Sequence, residues 1–518
     1  MRALLLLGLC GLLHADQYPR QPGIDVQHYV FRVTLADDTD EIHGDTTVTV
    51  RFVQDGVKQF SLDLAAGMKV SEVSAPFRRD GDRVEILLDS APKTGELREY
   101  RVVYAGKTAS GLKILTNKYG DRCFFSANWP DLAHQWLPTV DHPYDKASGE
   151  FLITAPSRYQ VVANGVLVEE TDLGDGRRLT HWSQREPIAT WLFNIGVAQF
   201  AFRGFGTAGR VPLQTWVFRQ DRDPGITTFE TSARRAIEFF ISHIGPYPYD
   251  KLAHVQAAGF AAGGMEHASE IFYGERAVTG QPAYGLVAHE TAHQWFGDSV
   301  TEKDWDDVWL SEGFATYFAA LTIEHYDGRD AFVKSLQTSR NQIFAIETKL
   351  PGVAVVQDKP WKGIPNGIVY QKGGWALHML RGQVGTAKFW EGIREYYRRY
   401  RDANASTDDF RRVMEEVSGQ ELSAWFRQWL YRAGSPKLEG GWTYDGKRIA
   451  IELEQTQAGE AFRLPLEVAV GNKIEKIEMV RKRQRFEIAA DQPPAEVTLD
   501  PNTWMLVDAT RWESRARK

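Results

Sequence analysis

Only two cysteines, Cys10 and Cys123, occur in 518 residues, so no disulfide framework can hold this chain together. Long apolar runs are also missing. The stretch over residues 3–13 falls short of the roughly 18–20 residues that span a bilayer, and no later segment approaches that length. Basic charge is not in excess: 61 Lys and Arg stand against 68 Asp and Glu, for a net charge of −7. Without a long basic run no nucleic-acid partner is expected. Internal repeats and low-complexity tracts are absent too. What remains is a globular composition, 43% hydrophobic and 12% aromatic, enough for the cores of two to four domains.

Met1-Arg2, the apolar stretch and His14-Ala15 ahead of Asp16-Gln17 together read as a signal peptide over residues 1–15. The mature protein is therefore expected outside the cytoplasm, secreted or periplasmic. Bulky Leu9 argues against lipidation of Cys10. Removal of the signal would leave Cys123 alone beside Phe124 and Phe125, where it reads as a small packed hydrophobe and not as a nucleophile.

The hydrophobic pattern divides the rest of the chain. From about 26 to 202 it alternates over short segments such as 29–35, 45–53, 150–154 and 159–163, with turn signals at Asn164-Gly165 and Gly174-Asp175-Gly176. This pattern predicts an antiparallel β domain over 16–204. Helical spacing begins with residues 226–244 (Phe229, Ala233, Ala236, Phe239, Phe240) and dominates the second domain, 205–433. After Gly434-Ser435-Pro436 strands return at 448–453, 464–470 and 485–488, which predicts a β-sandwich over 434–518. The fold class is thus a multidomain α+β protein.

The chemistry-bearing run is His289-Glu290-Thr291-Ala292-His293, followed after eighteen intervening residues by Glu312. Residues i and i+4 share a helix face, so both imidazoles can converge on one ion while Glu290 stands beside it as a base. Two histidines and a carboxylate leave one position of a tetrahedral Zn²⁺ open, which catalysis needs and a closed structural site lacks. The flanks support a buried helix, with Val287, Trp295 and Phe296 around the motif and Gly297 as its stop. Glu312 lies in the apolar helical segment 309–318, where an unpaired carboxylate would be costly. One zinc ion per chain on His289, His293 and Glu312 accounts for both observations.

Three more segments narrow the reading. Gly263-Gly264-Met265-Glu266-His267 resembles the G-x-M-E-N motif of the M1 (gluzincin) aminopeptidases, Val369-Tyr370-Gln371-Lys372-Gly373 resembles that family's tyrosine segment, and 136–147 resembles its stretch before a β-strand. The resemblance implies a saddle-like N-terminal β domain, a thermolysin-like catalytic domain and an Ig-like sandwich. It implies that Gly263, Gly264, Met265 and Glu266 bind substrate, with Glu266 holding the free α-amine of a peptide. Tyr370 is implied as the catalytic donor to the oxyanion. The function expected is a zinc aminopeptidase acting on extracytoplasmic peptides with a free amino terminus. Many members carry a large helical C-terminal domain for which these 518 residues leave no room, so more open access to the site is expected.

Two positions depart from the family pattern. His267 stands where asparagine is usual, and Trp129 occupies the first-domain position where many members offer the amine a second polar group. Anchoring then rests chiefly on Glu266, and a weaker grip or a different first-residue preference is expected. Hydrolysis of a lipid epoxide, as in one M1 relative, and a non-catalytic M1-like scaffold remain the alternatives; the complete set of zinc and catalytic residues argues against the second.

Overall fold

The structure, a computed structural model, describes residues 17–260, 263–356 and 367–514; the expected signal peptide and Cys10 lie outside them. The first part is built on a seven-stranded sheet in the order Val166–Asp172, Arg177–Ala189, Lys146–Pro156, Ile24–Thr34, Glu41–Phe52, Leu97–Lys107, Lys69–Val73. Strand Glu41–Phe52 alternates buried and open positions along most of its length, as a sheet with one face on a core requires. A four-stranded and a three-stranded sheet complete this part.

The expectation of an antiparallel domain needs correction, because Ile24–Thr34 and Lys146–Pro156 run parallel, with Phe31 opposite Phe151. A parallel pair requires a long crossover, here the whole excursion through the hairpins between those strands. Alternation within a strand carries no information about its partner's direction.

The central region is mainly helical, as expected, but it also holds strands that the hydrophobic pattern did not show. It opens on a five-stranded sheet in the order Phe200–Ala208, Val211–Phe218, Leu252–Ala257, Glu270–Gly274, Gly264–Met265. Leu252–Ala257 and Glu270–Gly274 are parallel neighbours buried at every position, so they lack the period-two signal that exposes a strand to sequence reading. Phe200–Ala208 runs through the expected junction at 204–205.

Helices then take over: α1 (Arg222–His243) covers the sheet, and α2 (Tyr284–His293), α3 (Trp309–Asp327), α4 (Arg329–Lys349), α5 (Gly373–Val384) and α6 (Thr386–Tyr400) follow. Residues 437–514 return to strands in two sheets, with Ile449, Ile451 and Leu453 buried from one and Leu464, Leu466 and Val468 from the other. Among the described residues no helix is long and apolar enough to cross a membrane.

Polar contacts tie the parts to the segment that carries the metal motif. Lys146 Nζ, at the start of its strand, donates to Asp298 O at 3.0 Å and Ser299 O at 2.7 Å, just beyond α2. On the other side His378 of α5 meets Thr503 O at 2.9 Å and stacks on Trp504. Cys123 is buried, and burial pushes its thiol up to about 12, so it packs and does not react.

Candidate active site

Helix α2 is packed by Val287, Ala288, Thr291 and Ala292, which leaves His289 and His293 on one side. Helix α3 packs against it, buried throughout residues 309–315, with Glu312 in its first turn. His289 Nε2 and His293 Nε2 lie 3.2 Å apart, and Glu312 Oε2 is 3.4 Å from each. Bonds of about 2.0–2.2 Å to a tetrahedral zinc subtend ligand–ligand edges of about 3.3–3.6 Å, so the triangle is the right size for one ion. Glu312 Oε2 is buried without a hydrogen-bond partner, which an oxygen reserved for a metal explains. Burial pushes the Glu312 carboxyl up, but the imidazoles outweigh it and hold the group at about 2. The donor is therefore ionised at neutral pH.

His293 is oriented from behind. Its Nδ1 lies 2.9 Å from Ser311 Oγ and 3.3 Å from Phe296 O, contacts that leave Nε2 toward the ion. Gly297, with φ +120°, makes this possible, since a Cβ there would sit 2.3 Å from Ser311 Oγ. Ser311 carried no signal in the sequence beyond its place before Glu312.

Tyr370 lies on a π-helical turn, Ile368–Lys372, leading into α5. Its hydroxyl donates to Glu312 Oε1 at 2.7 Å, and its ring stacks at 6.1 Å on His289. Burial and Glu312 raise its pKa, so it stays protonated as a donor. The approach of the two elements depends on glycine: a Cβ on Gly313 would stand 2.9 Å from the carbonyl carbon of Gly373 and 3.2 Å from Val369 O.

Gly264–Met265 forms the open edge of the five-stranded sheet, and Gly263 O accepts from Gly274 N at 3.1 Å. Glu266 follows at once, buried, and its carboxylate joins Glu290 and His293 in a second cluster of metal-capable donors that shares His293 with the first. Burial pushes Glu266 up to about 7; burial and Glu266 also raise Glu290, which accepts a hydrogen bond from the Gly264 backbone. The structure thus brings together His289, His293, Glu312, Glu290, Glu266 and Tyr370, with Gly264 against the Glu290 side chain; Gly263 and Met265 lie beside it in the same edge segment.

His267 belongs to neither metal-capable group. Its ring packs against Phe272 at 4.8 Å with neither nitrogen hydrogen-bonded, and burial pushes its pKa down to about 3. Trp129 meets Trp305 edge-on at 5.9 Å, just ahead of α3. Sequence reading missed the contribution of the first domain: Asn164 Nδ2 donates to Ala268 O at 2.7 Å, and Gly165 N donates to Ser269 Oγ at 2.8 Å. The Asn-Gly pair signalled a turn but not what the turn would grip.

Residues 229–429 match the Peptidase family M1 domain and residues 26–192 the Peptidase M1 N-terminal domain. Similar curated proteins include a leucyl aminopeptidase of Saccharolobus solfataricus, 27% identical over 78% of this chain and 53% of its own length. Tricorn protease-interacting factor F2 of Thermoplasma volcanium is 28% identical over 68% of this chain and 45% of its own. The chain spans about half the length of these relatives. The crystal structure of an M1 zinc metallopeptidase from Deinococcus radiodurans superposes with a TM-score of 0.69 at 26% identity, covering 79% of this chain and 94% of that one. With both domain types matched in order and this zinc-site geometry inside the second, the chain belongs to the M1 peptidase family.

Proposed function

We propose that this protein is a zinc-dependent aminopeptidase that removes the first residue from peptides with a free amino terminus. The observation that carries the reading is the place of Glu266: a buried carboxylate beside Glu290 and His293, at the end of an open sheet edge. Zinc held by His289, His293 and Glu312 supplies Lewis acidity when bound, lowering the pKa of water toward about 7 and polarising a carbonyl. Glu290 takes the proton of the attacking water and returns it to the departing nitrogen. The Tyr370 hydroxyl donates to the carbonyl oxygen as charge develops there. An extended peptide adds to the Gly264–Met265 edge, and Glu266 pairs with its α-ammonium, so that only the first peptide bond reaches Glu290. An ammonium docking beside Glu266 also offsets the cost of ionising a carboxyl that burial has pushed up.

The same reading takes residues 1–15 as an export signal, placing the enzyme outside the cytoplasm. It takes 16–204 as the saddle-like domain, 205–433 as thermolysin-like and 434–518 as an Ig-like sandwich. Amino-terminal sequencing of the exported protein tests the first of these, with Asp16 expected as the new terminus.

The deciding experiment compares free and N-acetylated peptides. Wild type should discriminate strongly against the acetylated forms, and Glu266→Ala should lose about 2–4 kcal/mol of that preference while keeping its zinc. Equal cleavage of both by wild type would overturn the exopeptidase reading. Tyr370→Phe should lower kcat on the order of a hundredfold with little change in KM, as loss of one oxyanion donor predicts. An unchanged kcat would reduce Tyr370 to a packing residue.

A further inference from the structure

The four-residue turn after the open edge, residues 266–269, is bonded by the side chain of Gln294, which stands at the end of the metal helix. Gln294 directly follows His293 and is completely buried. Its Oε1 accepts from Ser269 N at 2.7 Å and from Tyr247 OH at 2.9 Å. Its Nε2 donates to Glu266 O at 3.1 Å, His267 O at 3.3 Å and Asp298 Oδ2 at 2.8 Å. A primary amide has two donor hydrogens and two lone pairs, so its capacity is fully used, with one hydrogen shared between two of the three acceptors.

The turn needs such support. Ser269 adopts φ +66°, a left-handed conformation that costs a residue with a Cβ. Glu270 N returns to His267 O at 3.0 Å, which closes the turn. His267 contributes no side-chain hydrogen bond. Asn164 and Gly165 hold the far side through Ala268 O and Ser269 Oγ. The near side, including the backbone of Glu266 itself, is held by Gln294.

We propose that Gln294 is a positioning residue: it sets the height of the Glu266 carboxylate above the metal site, and so the distance from the terminal ammonium to the bond that is cut. This rests on the reading of Glu266 as the amine anchor. Because Gln294 is the neighbour of His293 in sequence, one side chain references the amine anchor to the metal ligand. A shift of about 1 Å in such a reference is enough to cost on the order of a hundredfold.

The test is binding, measured by calorimetry on zinc-loaded protein with free L-amino acids and their N-acetyl forms. Gln294→Met, close in length and without polar atoms, should weaken binding of the free amino acids about ten- to a hundredfold. It should leave the acetylated forms and the zinc content unchanged. In a Glu266→Ala background the same substitution should have no further effect, because its action runs through Glu266. Tyr247→Phe, which removes one of the two partners of Oε1, should shift the same ratio in the same direction by less, and it decides the matter if Gln294→Met does not fold. Unaltered free-amine binding, equal weakening of both ligand forms, or a further loss in the Glu266→Ala background would overturn the proposal. Failure of the amine-anchor reading shows separately, as wild type binding free and acetylated forms alike.

Discussion

Exhaustive removal of metal should bring peptide hydrolysis to background, and one equivalent of zinc per chain should restore it. The expectation rests on the triangle of His289 Nε2, His293 Nε2 and Glu312 Oε2, whose edges of 3.2 and 3.4 Å suit one ion and nothing larger. It rests also on the chemistry, since among the described residues no other group near Glu290 can both activate water and polarise a carbonyl at neutral pH. His289→Ala and Glu312→Ala should lose affinity for the ion itself, each leaving two donors of the three. Glu312→Ala carries a second effect, because it also removes the acceptor of the Tyr370 hydroxyl. Ser311→Ala should keep zinc but bind it more weakly, about ten- to a hundredfold, through the lost orientation of His293. Metal analysis and turnover on the same samples check all of these. Activity that persists with the metal content well below one ion per chain would refute the assignment.

The parts of this site that were legible in the sequence are those fixed by local geometry. His289 and His293 share a face because helices repeat every 3.6 residues, and Glu312 betrayed itself as a carboxylate in an apolar run. Glu266 and Tyr370 were legible only through family resemblance; an isolated glutamate after glycines or a lone tyrosine carries no chemistry of its own. Ser311 and Gln294 could not be read, and Asn164 only as part of a turn. Their roles consist of contacts between elements far apart in the chain, such as Asn164 against Ala268, and a polar side chain does not announce its distant partner. The fold followed the same division. Helix α1 and the alternating strands were visible, whereas the parallel pairing of Ile24–Thr34 with Lys146–Pro156 was hidden because it is set by topology. The buried strand Leu252–Ala257 was hidden because both its faces are covered.

Glu290→Gln should separate binding from chemistry more sharply than any other single change. Glu290 is almost fully buried, so an amide of the same shape can occupy its place without opening a cavity. It is not among the three atoms of the metal triangle, and zinc content should stay at one per chain. What the substitution removes is the ability to take a proton from water and return it to the leaving nitrogen, worth about 10²- to 10⁴-fold in kcat. Substrate binding should not fall with it. Glu266 raises the pKa of Glu290, whereas the shift of Glu266 comes from its own burial, His293 and Glu312, so a neutral amide at 290 leaves the ionisation of Glu266 as it was. The dissociation constant for a peptide with a free amino terminus should therefore stay the same while turnover collapses. Calorimetric titration beside steady-state kinetics would show this as a low kcat with an undiminished affinity. A variant that retains near-normal kcat would mean that another group accepts the proton, and a variant that loses zinc would mean that Glu290 is a ligand and the base has still to be found.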